Sequence, residues 1–258
     1  MENESVEILG IDVGASGIKG ALVDLQNGRI KGDRFRVPTP QPATPAAVAE
    51  AFCEIADFFG HKGPVGCGFP SIVKSGVALS AANIDDGWIG QNIETTLGGR
   101  CGLPVFALND ADAAGLAEMR YGAGHGRKGL VFLITVGTGL GTAIFNDGVL
   151  IPNTELGHLM WRQGQAVETW CSSGARERLK ISRAEWAERF NEYLLHLERL
   201  FSPDLFIIGG GESKYFDTFK AQLHTQAEVL AARLLNNAGI IGAGLYAQQQ
   251  YAGQTPAR

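Results

Sequence analysis

No segment of this 258-residue chain approaches the ~20 uninterrupted apolar residues that a membrane-spanning helix needs. Nor is there an excess of positive charge. The 22 lysines and arginines stand against 27 aspartates and glutamates, for a formal charge of −5. Nothing in the average therefore draws the protein toward nucleic acid or an anionic membrane. The four cysteines, Cys53, Cys67, Cys101 and Cys171, form no CxxC pair and no metal-ligand spacing; they are expected to be reduced, buried or half-buried thiols. The opening MENESVE is acidic and polar, the opposite of a signal peptide, and a cytoplasmic location is expected. Low-complexity segments, HExxH and nucleophile elbows are also missing.

What is there is an ordinary globular composition, 45% apolar and 19% charged, enough to build one large domain or two modest ones. It also contains a repeat. Residues 8–30, ILGIDVGASGIKGALVDLQNGRI, carry a β-rich run into a loop of small residues, return through a second β-rich run and end at Asn27-Gly28. Residues 131–150, VFLITVGTGLGTAIFNDGVL, do the same and end at Asp147-Gly148, with Asp12 and Thr135 in corresponding places 123 residues apart. Asn-Gly and Asp-Gly supply the positive φ angles of tight turns between strands. Two copies of one strand–loop–strand unit predict two related subdomains. If their glycine loops face each other across a cleft, backbone N–H groups converge on one anion.

The remaining pattern is α/β. Thr44-Pro45 is a cap followed by a first-turn proline, and Val48, Phe52, Ile55 and Phe59 follow at helical spacing. Residues 104–108 read as a short buried strand leading into the helical NDADAAGLAEMRYGAG. Ser182 and Glu185 form a capping box for a helix striped by Trp186, Phe190, Leu194 and Leu197. DLFIIGGG is a further buried strand, and the terminal QTPAR is expected to fray.

Several residues carry chemistry. Asp12, where a strand meets a glycine–serine loop, suits Mg²⁺ beside phosphate oxygens, because hard cations prefer oxygen ligands; it equally suits an acid that closes a turn. Gly14, Ser16 and Gly17 allow close backbone approach, and Lys19 adds charge. Asp110 emerges at a strand's carboxyl end, where ligands bind in open α/β sheets, and is placed to take a proton from an attacking hydroxyl. Its neighbour Asp112 reads as first-turn decoration. Glu155 and His158, three apart, with Glu168 ten residues on, suit a polyhydroxylated ligand, a metal pair or a packed histidine.

The segments GIDVGASGIKGALVD, TPQPATP, FPSIVKSGVALSAANIDDGWIG, NDADAAGLAE, TVGTGLGTAIFNDG, PNTELGHL, LFSPDLFIIGGGESK and NNAGIIGAGLYA together resemble the ROK family of sugar kinases, and most closely its bacterial polyphosphate-using glucokinase branch. The resemblance implies a duplicated actin-like ATPase (hexokinase, ribonuclease H-like) α/β fold with two subdomains around a cleft, 1–109 rejoined by a helix at about 238–250, and 110–237. It implies Mg²⁺ organised by Asp12, a donor phosphate cradled by Gly14, Ser16, Gly17 and Lys19 and met by Thr138 and Gly139, and Asp110 as general base for the 6-hydroxyl of glucose. Asn83, Asn109, Asp110, Glu155, His158 and Glu168 would hydrogen-bond the sugar. Gly209, Gly210 and Gly211 correspond to the loop that meets adenosine in ATP-using relatives.

The implied donor is polyphosphate, ATP or both, and the implied acceptor glucose, with mannose differing at one hydroxyl; family members are commonly homodimers. Two departures matter. Ala15 stands where the family usually has a second glycine, which is tolerable only if it keeps a negative φ or the loop shifts slightly. The family's zinc-binding cysteine cluster is reduced to Cys171, so no zinc is expected, and a kinase for N-acetylmannosamine is disfavoured. With no helix-turn-helix segment before residue 8, the family's sugar-responsive repressors are not expected. Lys19, Lys74, Arg176, Arg178, Lys180, Arg183 and Lys214 form either a basic track for a polyanion or ordinary surface charge. The alternatives are a strictly ATP-dependent hexose kinase and a catalytically silent sugar-binding protein.

Overall fold

A computed structural model describes residues 7–254, which form two compact units: positions up to Ala117 together with those from Asn237 onward, and Glu118–Asn236. Apart from Gln254, the residues of QTPAR lie outside the described range. The division falls within the helix that starts at Asp110, so Asn109 and Asp110, which the sequence reading parted, sit in one unit.

The first unit contains strands β1 (Glu7–Gly14), β2 (Gly17–Asp24) and β3 (Arg29–Val37), helix α1 (Pro45–Phe58) and strand β4 (Val65–Phe69). A small hairpin of β5 (Val73–Lys74) and β6 (Val77–Ala78), helix α2 (Ile93–Cys101), strand β7 (Val105–Asn109) and the start of α3 (Asp110–Tyr121) follow. Its sheet runs β3-β2-β1-β4-β7, an antiparallel meander extended by two strands parallel to β1. The Thr44 hydroxyl caps α1 by accepting from the Ala47 N–H, and Val48, Phe52 and Ile55 are buried, as the 3.6-residue spacing requires.

In the second unit, β8 (Leu130–Val136), β9 (Leu140–Asn146) and β10 (Val149–Ile151) form a second meander. Helices α4 (Glu168–Cys171), α5 (Ser173–Leu179) and α6 (Arg183–Phe201), strand β11 (Leu205–Gly210), helix α7 (Phe216–Phe219) and strand β12 (Glu228–Ala231) complete it. The sheet order, β10-β9-β8-β11-β12, repeats that of the first sheet, with β11 and β12 again parallel to the founding strand. Glu7 and Leu130 begin β1 and β8, and Gly17 and Leu140 begin β2 and β9, each pair 123 residues apart. The repeat read in the sequence is a duplicated sheet. Ser182 caps α6 by accepting from Glu185, and Trp186, Phe190, Leu194 and Leu197 are its buried stripe.

The last helix, α8 (Ala238–Gln254), belongs to the first unit and lies against β1, β4 and β7 at backbone distance. A Cβ on Gly66 would come within 1.9 Å of the Ala243 carbonyl oxygen, and one on Gly242 within 1.6 Å of that of Ala113. Only glycine permits such approach, which is why the helix is rich in glycine and alanine.

Two expectations need correction. Asp147 and Gly148 both take positive φ between β9 and β10, but between β2 and β3 only Gly28 does. There the Asp24 carboxylate accepts from the Gln26 N–H and the Asn27 amide and builds a longer turn. Cys53 and Cys101, expected as thiols, form a disulfide between α1 and α2, whose packing brings their Cα atoms to 5.2 Å; Cys67 and Cys171 are free and buried. No helix among the described residues is long and apolar enough to cross a membrane.

Candidate active site

Three parallel strands of the first sheet deliver their ends side by side. Asp12 of β1 pairs with Gly68 of β4, and Gly68 pairs with Leu108 of β7, one residue before Asn109. A Cβ on Gly68 would lie 3.6 Å from Asp12 Oδ1 and 3.7 Å from the Cα of Asp110. The two acids singled out from the sequence thus flank one glycine at the carboxyl ends of the strands, where α/β sheets bind ligands.

Asp12 lies opposite Lys19 of β2, with Nζ 3.6 Å from Oδ2. Burial pushes its carboxyl pKa above the ordinary aspartate value, against the opposing pull of the Lys19 ammonium. Gly239, in the first turn of α8, bounds it on the other side, where a Cβ would lie 3.0 Å from Cγ. A desolvated oxygen donor hemmed in by two residues without side chains, and only partly neutralised, fits a small hard cation that keeps water and phosphate as its other ligands.

Asp110 opens α3 directly, because β7 passes into the helix with no loop. Asn109 makes this possible: its buried Oδ1 accepts from the N–H groups of Ala111 and Asp112, and its Nδ2 donates to the Ser71 carbonyl at 3.1 Å. Asp110 Oδ1 accepts from the Ala111 N–H at 2.8 Å. The first turn of a helix favours an anion, so the position suits a carboxylate. Asn109 is therefore the support of the neighbouring acid. Asp112 is in the same first turn, as expected of it, and is buried. Asn83 is exposed in the loop after β6, beside a shallow pocket lined by Gln41, Pro42 and Ala43.

The β1–β2 turn is braced by residues that the sequence reading missed. Thr39 donates to the Gly14 carbonyl, and Arg36 donates to the Ser16 carbonyl at 2.6 Å. Ala15 and Ser16 are absent from the positive-φ residues, so Ala15 keeps the negative φ it needs and the loop closes without a second glycine. Only strand register could have exposed Arg36, which β3 places opposite Lys19.

In the second unit, the His158 ring stands between two carboxylates, with Nε2 3.8 Å from Glu155 and Nδ1 3.8 Å from Glu168. Burial raises the pKa of Glu155; the His158 ring opposes this and Glu168 adds to it. Glu168 opens α4 and also accepts the Leu140 N–H at 3.2 Å, tying this trio to the β8–β9 loop that carries Thr138 and Gly139. Gly157 backs onto Leu140 and Gly174 onto Thr138, each so closely that a Cβ would strike a carbonyl oxygen. The buried Thr142 hydroxyl accepts from the Leu156 N–H and donates to the Thr154 carbonyl, fixing the segment around Glu155. Gly209 and Gly210 end β11 and Gly211 follows; Gly210 has a φ of 74° and its Cα faces the Val136 backbone.

The basic track is thinner than its residue count. Arg176 and Arg183 point to the buried Glu212 carboxylate at 3.5 and 3.0 Å, and Arg178 donates to the Thr169 carbonyl.

Comparison with known proteins places this arrangement. The ROK family profile matches residues 8–179. The chain is 48% identical over 237 residues to the polyphosphate glucokinase of Mycobacterium tuberculosis (strain CDC 1551 / Oshkosh), covering 92% of this chain and 89% of that one. Among solved structures it is similar to the inorganic polyphosphate/ATP-glucomannokinase from Arthrobacter sp. strain KM, with a TM-score of 0.91, 48% identity and coverage of 95% and 99% of the two chains. It is also similar to a ROK family glucokinase from Streptomyces griseus in complex with glucose and AMPPNP, with a TM-score of 0.79, 29% identity and coverage of 94% and 99%. The duplicated α/β sheets are those of the actin-like ATPase fold, which these sugar kinases share. Matched by the family profile over two thirds of its length, and by a relative 48% identical along almost all of it, the chain belongs to the ROK family.

Proposed function

We propose that the protein is a glucokinase that transfers a phosphoryl group from inorganic polyphosphate, ATP or both to the 6-hydroxyl of glucose. The observation that carries the reading is the pair of acids on either side of Gly68, one suited to a cation and the other to a proton. The similarity to polyphosphate-using sugar kinases supports the same donor and acceptor.

The residues divide the work by their chemistry. Asp110 takes the proton of the attacking hydroxyl, which raises the electron density on that oxygen as it meets phosphorus. Asn109 keeps Asp110 at the helix start and orients it. Asn83, Asn109, Asp110, Glu155, His158 and Glu168 hydrogen-bond the sugar hydroxyls, a task for which carboxylate acceptors and imidazole are suited. The backbone of Gly14, Ser16 and Gly17 with Lys19, and that of Thr138 and Gly139, receives donor phosphates. Gly209, Gly210 and Gly211 leave room for the adenosine of ATP. Asp12 is the residue that would hold Mg²⁺, which supplies charge neutralisation to the phosphates when bound. Mannose is accepted alongside glucose, as the name of the glucomannokinase relative suggests. The protein works in the cytoplasm, where ATP is available, as a homodimer that sedimentation would reveal.

The test is glucose 6-phosphate formation with Mg²⁺, supplying ATP or ATP-free polyphosphate, for the native protein and Asp110→Asn. We expect turnover in the native protein and a fall in kcat of roughly 10²–10⁴ in the variant, the range of general-base catalysis. Turnover with ATP alone removes polyphosphate from the reading. Glucose binding without turnover from either donor replaces the kinase with a silent sugar-binding protein.

A further inference from the structure

One residue from each of three neighbouring strands of the first sheet falls into a single row. Asp12 of β1 pairs with Lys19 of β2, and Lys19 pairs with Arg36 of β3. Residues directly opposite share a face of the sheet. A carboxylate, an ammonium and a guanidinium therefore follow one another over two strand spacings, about 10 Å.

The two cations are differently occupied. Lys19 is shared with Asp12, 3.6 Å away. Arg36 takes part in none of the ion pairs of the described residues, yet its guanidinium is held in place. One terminal nitrogen donates to the Ser16 carbonyl. The group also lies so near Gly17 that a Cβ there would come within 2.4 Å of Nε and 2.5 Å of Nη2. A guanidinium has five N–H groups in a rigid fork matched to phosphate oxygens. Ser16 accepts from one terminal nitrogen, and the exposed side chain keeps the rest of the fork available. Arg34, two residues earlier, donates to the Asn237 side chain just before α8 and adds a second cation to the surroundings.

A brace for the turn would need only the hydrogen bond to Ser16. A full positive charge, prepositioned beside a phosphate loop and not neutralised, offers more. We propose that Arg36 selects the donor, by binding phosphate groups of inorganic polyphosphate beyond the one transferred. This rests on polyphosphate serving as donor. ATP ends its phosphates in a nucleoside after three groups. Polyphosphate carries charge on every link, so a row of cations leading away from Asp12 rewards it more.

The experiment compares the native protein with Arg36→Met, which keeps the stem, and Arg36→Lys, which keeps the charge without the fork. It reads kcat/KM for long-chain polyphosphate and for ATP at rising KCl, and calorimetric binding of long-chain polyphosphate alone. We expect Arg36→Met to lower kcat/KM for polyphosphate about tenfold, one charge-assisted phosphate contact, and that for ATP less than about twofold. The slope of log affinity for polyphosphate against log salt should become shallower by about 0.7, the value for one contact to a single-stranded polyanion. Arg36→Lys should restore the slope and only part of the affinity. Equal losses with both donors, or no loss, would reduce Arg36 to a brace and overturn the proposal. A native protein that cannot use polyphosphate would sink the donor reading instead. The binding titration then decides Arg36 by itself, and equal affinity in native and Arg36→Met, or no binding in the native protein, overturns it.

Discussion

At the end of β1 the protein places Asp12 opposite Lys19; at the corresponding place 123 residues later, β8 places Thr135 opposite Gly141. The first hairpin turns through two residues, Ala15 and Ser16, and the second through three, Gly137 to Gly139. The extra residue shifts the pairing by one, which turns the following side chain to the other face. There Thr142 serves the segment carrying Glu155, while the second loop carries no charged side chain and is gripped by Glu168 and backed by Gly174. Duplication preserved the strand order and let the chemistry diverge. One hairpin became a charged row running from Asp12 to Arg36, the other an uncharged loop whose carboxylates come from elsewhere in the unit.

The sharpest way to break this comparison is to neutralise each hairpin in turn. Asp12→Asn should cut kcat roughly a thousandfold, the scale of several kcal/mol of cation assistance, while Thr135→Ala stays within about tenfold; comparable losses would mean that the two loops do the same work. The next effect is on stability. Gly66→Ala drives a methyl into the Ala243 carbonyl of α8 and should cost about 3 kcal/mol, since backbone cannot step aside. Gly137→Ala, with open space around it, should cost less than about 1 kcal/mol. Denaturant midpoints would read both, and equal costs would contradict the close packing of α8.

The smallest effect concerns pH. Burial raises the Glu155 pKa, so the folded chain holds this proton more tightly than the unfolded chain does. Its contribution is fully present below the ordinary value of 4.5 and is lost as pH rises through the raised folded value. Glu155→Gln does not ionise, so its Tm should gain on that of the native protein by a few degrees between pH 4 and pH 7. A difference independent of pH would remove burial as the cause.

Local signals showed much of this architecture in advance. Thr44-Pro45, Ser182 with Glu185, and the apolar stripes of α1 and α6 depend on neighbours within a few residues, and each is where its spacing puts it, save Phe59, which stands half-buried just past the end of α1. Asn27-Gly28 misled because Asp24, three residues before Asn27, competes for the turn's donors with its own carboxylate. The cysteine reading failed because Cys53 and Cys101 are 48 residues apart and meet only when α1 packs on α2.

The same division holds at the site. The sequence alone determined the repeat, the strand ends that carry Asp12 and Asp110, and the Glu155–His158–Glu168 set, because each is written in short-range pattern. That Gly68 lies between the two acids, that Arg36 continues the row begun by Asp12, that Asn109 braces Asp110 through Ser71, and that Glu212 claims Arg176 and Arg183 were decided only by tertiary structure. The reason is register: which residues face one another across strands depends on turn length and on the packing of a helix from the far end of the chain, and neither is encoded where those residues stand.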